Sequence, residues 1–144
     1  MKLLVIDGVN LNMLGQREPE IYGTTTLNDI EELVRKHCNT KDIAVDFYQS
    51  NVEGELVNAI LDGKEKYNGI IANFGAYSHY SIALHDCLAM VKIPVIEVHL
   101  SNVHAREEYR QSLLTGSVSK GIICGFGSYG YIMAVDAMEN IING

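Results

Sequence analysis

Residues 69–98 read GIIANFGAYSHYSIALHDCLAMVKIPVIEV, and this stretch decides the fold. It opens on Gly69-Ile70-Ile71-Ala72-Asn73, a short apolar run of the kind that forms a strand covered on both faces. Ser81 then stands where its hydroxyl can cap a helix carrying Ile82, Leu88 and Met90. Pro94-Val95-Ile96-Glu97-Val98 is a second strand, with its proline at the first position, where a missing N–H is tolerated. Strand, helix, strand in that order predicts parallel pairing through a right-handed crossover.

The same unit recurs on either side. Leu3 to Ile6 is a fully apolar run, hence a first strand. Thr26 precedes Asp29 in a capping-box pattern, and Leu27, Ile30, Leu33 and Val34 follow at helical spacing. Ile43 to Tyr48 is β-branched and aromatic, and Leu56, Val57, Ile60 and Leu61 give the next helix. A short helix is expected around Glu107 to Gln111, a fifth strand at Gly121-Ile122-Ile123-Cys124, and an amphipathic last helix from Tyr131 to Ile142. Five units predict an α/β fold, a flavodoxin-like doubly wound five-stranded parallel sheet with helices on both faces. In such a sheet ligands bind beyond the carboxyl ends of the strands.

Composition sets outer bounds. A chain of 144 residues fits one domain, 1–144, and 47% hydrophobic with 20% charged residues is ordinary for a packed core. The formal net charge of −7 disfavours nucleic acid or an anionic membrane as partner. It leaves room for a small anionic ligand held by a few local cations. The first apolar run is too short for a signal-peptide core, and no run approaches spanning length. Cys38, Cys87 and Cys124 are odd in number and unpaired in spacing, so they are expected to be reduced and buried in a cytoplasmic protein.

With strands assigned, each connection falls at one edge of the sheet. Asn10, Asn12, Arg17 and Tyr22 follow the first strand in a loop of nearly twenty residues, a length usual for functional lids. Gln49, Ser50, Asn51 and Glu53 follow the second strand. Asn73, Gly75, Tyr77, Ser78 and His79 follow the third. Glu97, His99, Ser101, Asn102, His104, Arg106 and Arg110 stand at or after the fourth. The lysines do the opposite: Lys2, Lys41, Lys64, Lys66, Lys92 and Lys120 precede strands, and Lys36 ends a helix.

Many of these polar loop residues need do no more than complete turns. Glu97 and His99 are different, because residues two apart on a strand share a face. Glu97 can then fix the tautomer of His99 and leave its second nitrogen for acid or base work. Gly125-Phe126-Gly127-Ser128-Tyr129-Gly130 matches G-x-G-x-x-G, but it lies in the last unit, with too little chain after it for the acidic partner of a dinucleotide site. Tight packing of the last turn is the better reading. His79, His99 and His104 match no familiar metal spacing, so no metal is expected.

Taken in order, these segments resemble the type II 3-dehydroquinate dehydratases, or type II dehydroquinases. The resemblance is carried by residues 7–15 (DGVNLNMLG), 17–23 (REPEIYG), Gln49-Ser50-Asn51, Glu53-Gly54-Glu55, Asn73 with residues 75–79 (GAYSH), and residues 97–107 (EVHLSNVHARE). It implies dehydration of 3-dehydroquinate to 3-dehydroshikimate by anti elimination through an enolate, in the shikimate pathway, with no cofactor. It implies a homododecamer, a tetramer of trimers. Carried over by position, Tyr22 is the base, Arg17 lowers its pKa, and Asn10 orients the water that stabilises the enolate. His99, held by Glu97, is the acid. Asn73, His79, Leu100, Ser101 and Arg110 bind substrate, Asp86 reaches a neighbouring subunit's site, and Arg106 is a structural or lid contact.

The chain departs from that family pattern in three places. Asp7-Gly8-Val9-Asn10 stands where the family usually has Asn-Gly-Pro-Asn, Asn73-Phe74-Gly75 where it has Asn-Pro-Gly, and Arg110-Gln111-Ser112-Leu113 where it has Arg-His-His-Ser. Loss of two prolines removes a φ constraint beside site residues and is expected to loosen them. The rival reading is a non-catalytic binding or scaffold protein on the same fold. Retention of Arg17, Tyr22, Glu97 and His99 speaks for the enzyme, since a scaffold needs no base and acid in separate loops.

Overall fold

The computed structural model describes residues 1–16 and 18–144, with Tyr22 described by its backbone alone. The strands are β1 (Lys2–Asp7), β2 (Ala44–Gln49), β3 (Gly69–Asn73), β4 (Val95–His99) and β5 (Gly121–Cys124). The helices are α1 (Pro19–Tyr22), α2 (Leu27–Thr40), α3 (Glu53–Asp62), α4 (Ile82–Val91) and α5 (Tyr129–Asn143). All strand pairs are parallel, in the order β2-β1-β3-β4-β5, the flavodoxin-like arrangement that the alternation of elements predicts.

The sheet divides the core in two. Leu3, Val5, Ile71, Ile96 and Val98 pack with Ile30, Val34, Tyr131, Val135 and Met138 of α2 and α5. Leu4, Ile6, Ile70, Ala72 and Val95 pack on the other face with Leu56, Ile60, Leu84 and Leu88 of α3 and α4. Because both faces are covered, the central strands carry no polar alternation until their carboxyl ends. The caps form as their sequence demands. Thr26 and Asp29 exchange side-chain and backbone hydrogen bonds at 3.0 and 3.1 Å, and the Ser81 hydroxyl accepts from the Leu84 N–H at 3.0 Å.

Several expectations need correction. The connection after β1 is not structureless: Leu11–Met13 forms a 3-10 turn, and Leu11 and Leu14 are buried in the α2/α5 core. Pro94 lies just before β4 rather than in it, yet its carbonyl still accepts from the Ile70 N–H at 3.0 Å, and the strand runs on to His99. The helix expected around Glu107 is only a 3-10 turn, Glu108–Arg110, and α5 starts two residues earlier than its apolar pattern implied. Ile82 and Met90 are exposed on α4, as is Leu33 on α2. Cys38 and Cys87 are buried, but Cys124 is only partly so because β5 is an edge strand.

Candidate functional site

A cavity opens over the carboxyl edge of β1, β3 and β4. Its walls include Asn10, Asn73, His79, His99, Leu100 and Ser101, with Arg106 and Arg110 on one side and Val9, Leu11, Leu14 and Val103 as apolar lining. Eight residues singled out from sequence therefore meet in one place. The reason is topological: each follows or ends a strand, and parallel pairing brings those ends to one edge.

His99 is the last residue of β4 and is paired in register with Cys124. Its Nε2 lies 2.9 Å from Glu97 Oε2, the contact that the two-residue spacing predicts. Glu97 is wholly buried, and its other oxygen accepts the Thr115 hydroxyl. A carboxylate holding one donor on each oxygen sets its partner's tautomer. The His99 Nε2–H points at Glu97, which leaves Nδ1 as the nitrogen that can exchange a proton. Sequence reasoning missed Thr115. It sits in a 3-10 turn (Thr115–Val118), where no periodicity marks it.

The His79 ring stacks on His99 with centroids 6.0 Å apart, and its Nδ1 lies 2.9 Å from the Ser112 carbonyl oxygen. A carbonyl only accepts, so Nδ1 carries the proton. Burial holds the His79 pKa below the usual imidazole range. A neutral ring beside His99 adds no opposing charge.

Asn73 ends β3 in register with Asp7 of β1. Its Oδ1 accepts from the Gly75 N–H at 3.1 Å, and its Nδ2 donates to the Tyr131 hydroxyl oxygen at 3.1 Å. Two turns are locked together beside it. The Gly8 N–H donates to the Asn73 carbonyl at 2.7 Å, and a Cβ on Gly8 would stand 2.3 Å from the Phe74 carbonyl oxygen. Gly75 has φ +64, and a Cβ there would stand 2.7 Å from the Val9 carbonyl oxygen. Phe74, which stands where the family has proline, has its side chain wholly buried in the α3/α4 core. Asn10 also takes a left-handed backbone, φ 68, which asparagine tolerates. Its N–H donates to Asn51 Oδ1 at 2.9 Å.

The polar cluster after β2 does not line the cavity. Asn51 is a strut for Asn10, Gln49 and Tyr77, Ser50 bonds Glu55, and Ser81 donates to Glu53 at 2.6 Å. Their use is the one expected of many polar loop residues, the completion of turns. Glu107 stands between the two cavity arginines. The Arg110 Nε donates to it at 3.2 and 3.3 Å, the Arg106 Nε lies 3.8 Å away, and the Arg106 Nη1 donates to Ser101 Oγ at 3.3 Å. The Tyr109 hydroxyl and Arg110 together pull the Glu107 carboxyl down to about 2, so it stays ionised.

Asp86 is not at this cavity. It is exposed on α4 and pairs with His85 Nδ1 at 2.9 Å. Arg17 and the Tyr22 side chain lie outside the described residues. Gly125-to-Gly130 acts as close packing: a Cβ on Gly130 would stand 3.2 Å from Val98 Cγ1, and one on Gly125 3.2 Å from Asn102 Cβ. Among the described residues no three His, Cys, Asp or Glu side chains gather as a metal site, and no helix is long and apolar enough to cross a membrane.

Residues 1–139 match the family described as dehydroquinase class II. The 3-dehydroquinate dehydratase of Clostridium botulinum is 51% identical over 138 residues, 96% of this chain and 94% of that one. That of Clostridium perfringens is 50% identical over 143 residues, 99% of both. The crystal structure of a type II dehydroquinase from Butyrivibrio crossotus superposes with a TM-score of 0.95 at 46% identity, covering 96% of this chain and 97% of that one. With that match running along the chain and the cavity formed by the motif residues, the chain belongs to the class II dehydroquinase family.

Proposed function

We propose that the protein removes water from 3-dehydroquinate to give 3-dehydroshikimate, the step of the shikimate pathway that leads on through chorismate to the aromatic amino acids. The observation that carries this is the buried Glu97–His99 couple at the wall of a cavity that also holds Arg106 and Arg110. It supports an acid aimed at an anionic ligand. The proton beside the ketone goes to the Tyr22 phenolate, and the electrons left behind form an enolate. A water oriented by Asn10 stabilises the enolate oxygen. The enolate then collapses and expels the hydroxyl on the opposite face, which leaves as water with a proton from His99. Tyr22 must begin as phenolate, and with a pKa near 10 only about one in a thousand is ionised at neutral pH. Arg17 is assigned the task of lowering it, since an adjacent cation favours the anion.

Asn73, His79, Leu100, Ser101 and Arg110 are assigned to holding the substrate, no cofactor is required, and residues 1–144 act as one catalytic domain. The finer assignment of assembly is a homododecamer, a tetramer of trimers, in the cytoplasm. Two observations support an assembly: Asp86 is exposed on α4, outside the lining of its own cavity, and Tyr80, Ile82 and Met90, near it in sequence, are exposed apolar residues. Mixing the purified protein with 3-dehydroquinate and following the ultraviolet absorbance of the conjugated enone tests the reaction. Absence of that absorbance overturns it. Borohydride added with substrate should leave activity intact, because the lysines lie at the other edge of the sheet. An adduct on any lysine refutes the enolate route. A fully active monomer in sedimentation refutes the assembly.

A further inference from the structure

We propose that Asp7 and Tyr131 are positioning residues for Asn73: a buried carboxyl–phenol–amide chain sets the orientation of the Asn73 amide in the cavity and makes it depend on the protonation of Asp7. The proposal rests on the reading of this cavity as the substrate site.

With Asp7 ionised, the geometry fixes the direction of every hydrogen. The Tyr131 hydroxyl donates its one proton to Asp7 Oδ1 at 2.6 Å. Its oxygen is then the acceptor for Asn73 Nδ2 at 3.1 Å, while Asn73 Oδ1 takes the Gly75 N–H. Oxygen and nitrogen of the amide cannot exchange places without facing donor to donor. One N–H of Nδ2 remains for the cavity. Asp7, Tyr131 and Asn73 are 2%, 0% and 4% exposed, so water has little access to substitute for a broken link.

With Asp7 ionised, its bond from Tyr131 is charge-assisted, and the polarised phenol oxygen becomes a better acceptor for Asn73. With Asp7 protonated, the new carboxyl O–H competes for that same phenol oxygen, and Asn73 is held less firmly. The groups acting on Asp7 can be named. From α5 comes Tyr131 and from α2 comes Glu31, while β2 and β3 present only Gln49 and Asn73 at its register. Burial pushes Asp7 up to about 7, and it pushes Tyr131 well above the usual phenol value, so the phenol remains a donor.

The test is kcat and KM for 3-dehydroquinate from pH 5 to pH 9, on wild type, Asp7→Asn and Tyr131→Phe. Asparagine keeps an oxygen for the Tyr131 hydroxyl but cannot ionise. Its KM should equal the wild-type value at pH 5 and exceed it by about fivefold at pH 9, one ordinary hydrogen bond. The ratio should turn over near pH 7, with kcat within about twofold. Any other pH dependence common to both enzymes cancels in the ratio. Tyr131→Phe should raise KM by about fivefold at pH 9 and, with the link to Asp7 gone, by less at pH 5, and if it fails to fold, Asp7→Asn alone decides. A ratio that is flat with pH overturns the relay and leaves the activity standing. If wild type does not turn over 3-dehydroquinate, the activity reading fails instead. The relay is then decided by the Asn73 side-chain amide resonances of nitrogen-15-labelled protein. They must move with pH in wild type and stay fixed in Asp7→Asn, and immobility in wild type refutes the relay.

Discussion

Replacing Asp7 by asparagine should make the protein more stable in alkali and leave its stability in acid nearly unchanged. Burial raises the Asp7 carboxyl from 3.8 to about 7, and the hydrogen bond from Tyr131 recovers only part of that cost. The folded chain therefore binds this proton more tightly than the unfolded one. Its contribution is fully present below pH 4, shrinks as pH rises through 7, and is gone above. At about 1.4 kcal/mol for each pH unit between the two values, the loss at pH 8 comes to about 4 kcal/mol. Asparagine has the same shape and never ionises, so it avoids that loss. For a chain of this size the gain corresponds to roughly 12 °C in Tm. Urea unfolding followed by circular dichroism, from pH 4 to pH 8.5 at one protein concentration, reads the difference directly. Two parallel curves, or a variant less stable than wild type at pH 8, would refute the reasoning.

Three other perturbations follow from the site. His99→Ala should lower kcat at least about a hundredfold, the usual size of general-acid catalysis, and Glu97→Gln should lower it less, since it misorients the ring without removing it; near-normal turnover of His99→Ala in the enone assay would exclude it as the acid. Thr115→Val strips one donor from the buried Glu97 oxygen and should destabilise the fold by about 1–3 kcal/mol in urea titrations, with a loss of kcat smaller than that of His99→Ala. Phe74→Pro should lower stability by about 3 kcal/mol or more, because it empties a fully buried site in the α3/α4 core; if it instead lowered KM in a stable protein, the turn would be limited by backbone freedom.

The central strands were legible because both faces of the sheet are covered there, so that runs such as Leu3–Ile6 and Gly69–Asn73 appear as largely uninterrupted apolar stretches. The caps at Thr26 and Ser81 were legible because they act within one helical turn. The Glu97–His99 pair was legible for the same local reason. Contacts that close over a long span of chain left no such mark. Asp7 meets Tyr131 across 124 positions, and in sequence they read only as the charge ending a strand and the first apolar residue of a helix. Thr115 is 18 positions from Glu97, in a turn without a repeat. The exposure of Ile82 and Met90 was hidden by their residue type, since an apolar side chain on a helix reads as core whether or not a neighbour covers it. The roles of Tyr22 and Arg17 came from the resemblance alone.

The segregation of the cations bears on how fast a ligand arrives. Lys2 and Lys66 pair with Asp46, and Lys41 pairs with Glu139 and Asp136, none of them in the lining of the cavity. Arg106 and Arg110 share Glu107, so among the described residues part of the positive charge at the mouth is already balanced. An anion diffusing toward a chain of net charge −7 travels against the mean field and is drawn in only over the last few ångströms. At 0.1 M ionic strength screening extends over about 10 Å. Salt should then quicken the encounter and weaken the final grip, two effects that oppose each other in the bimolecular rate.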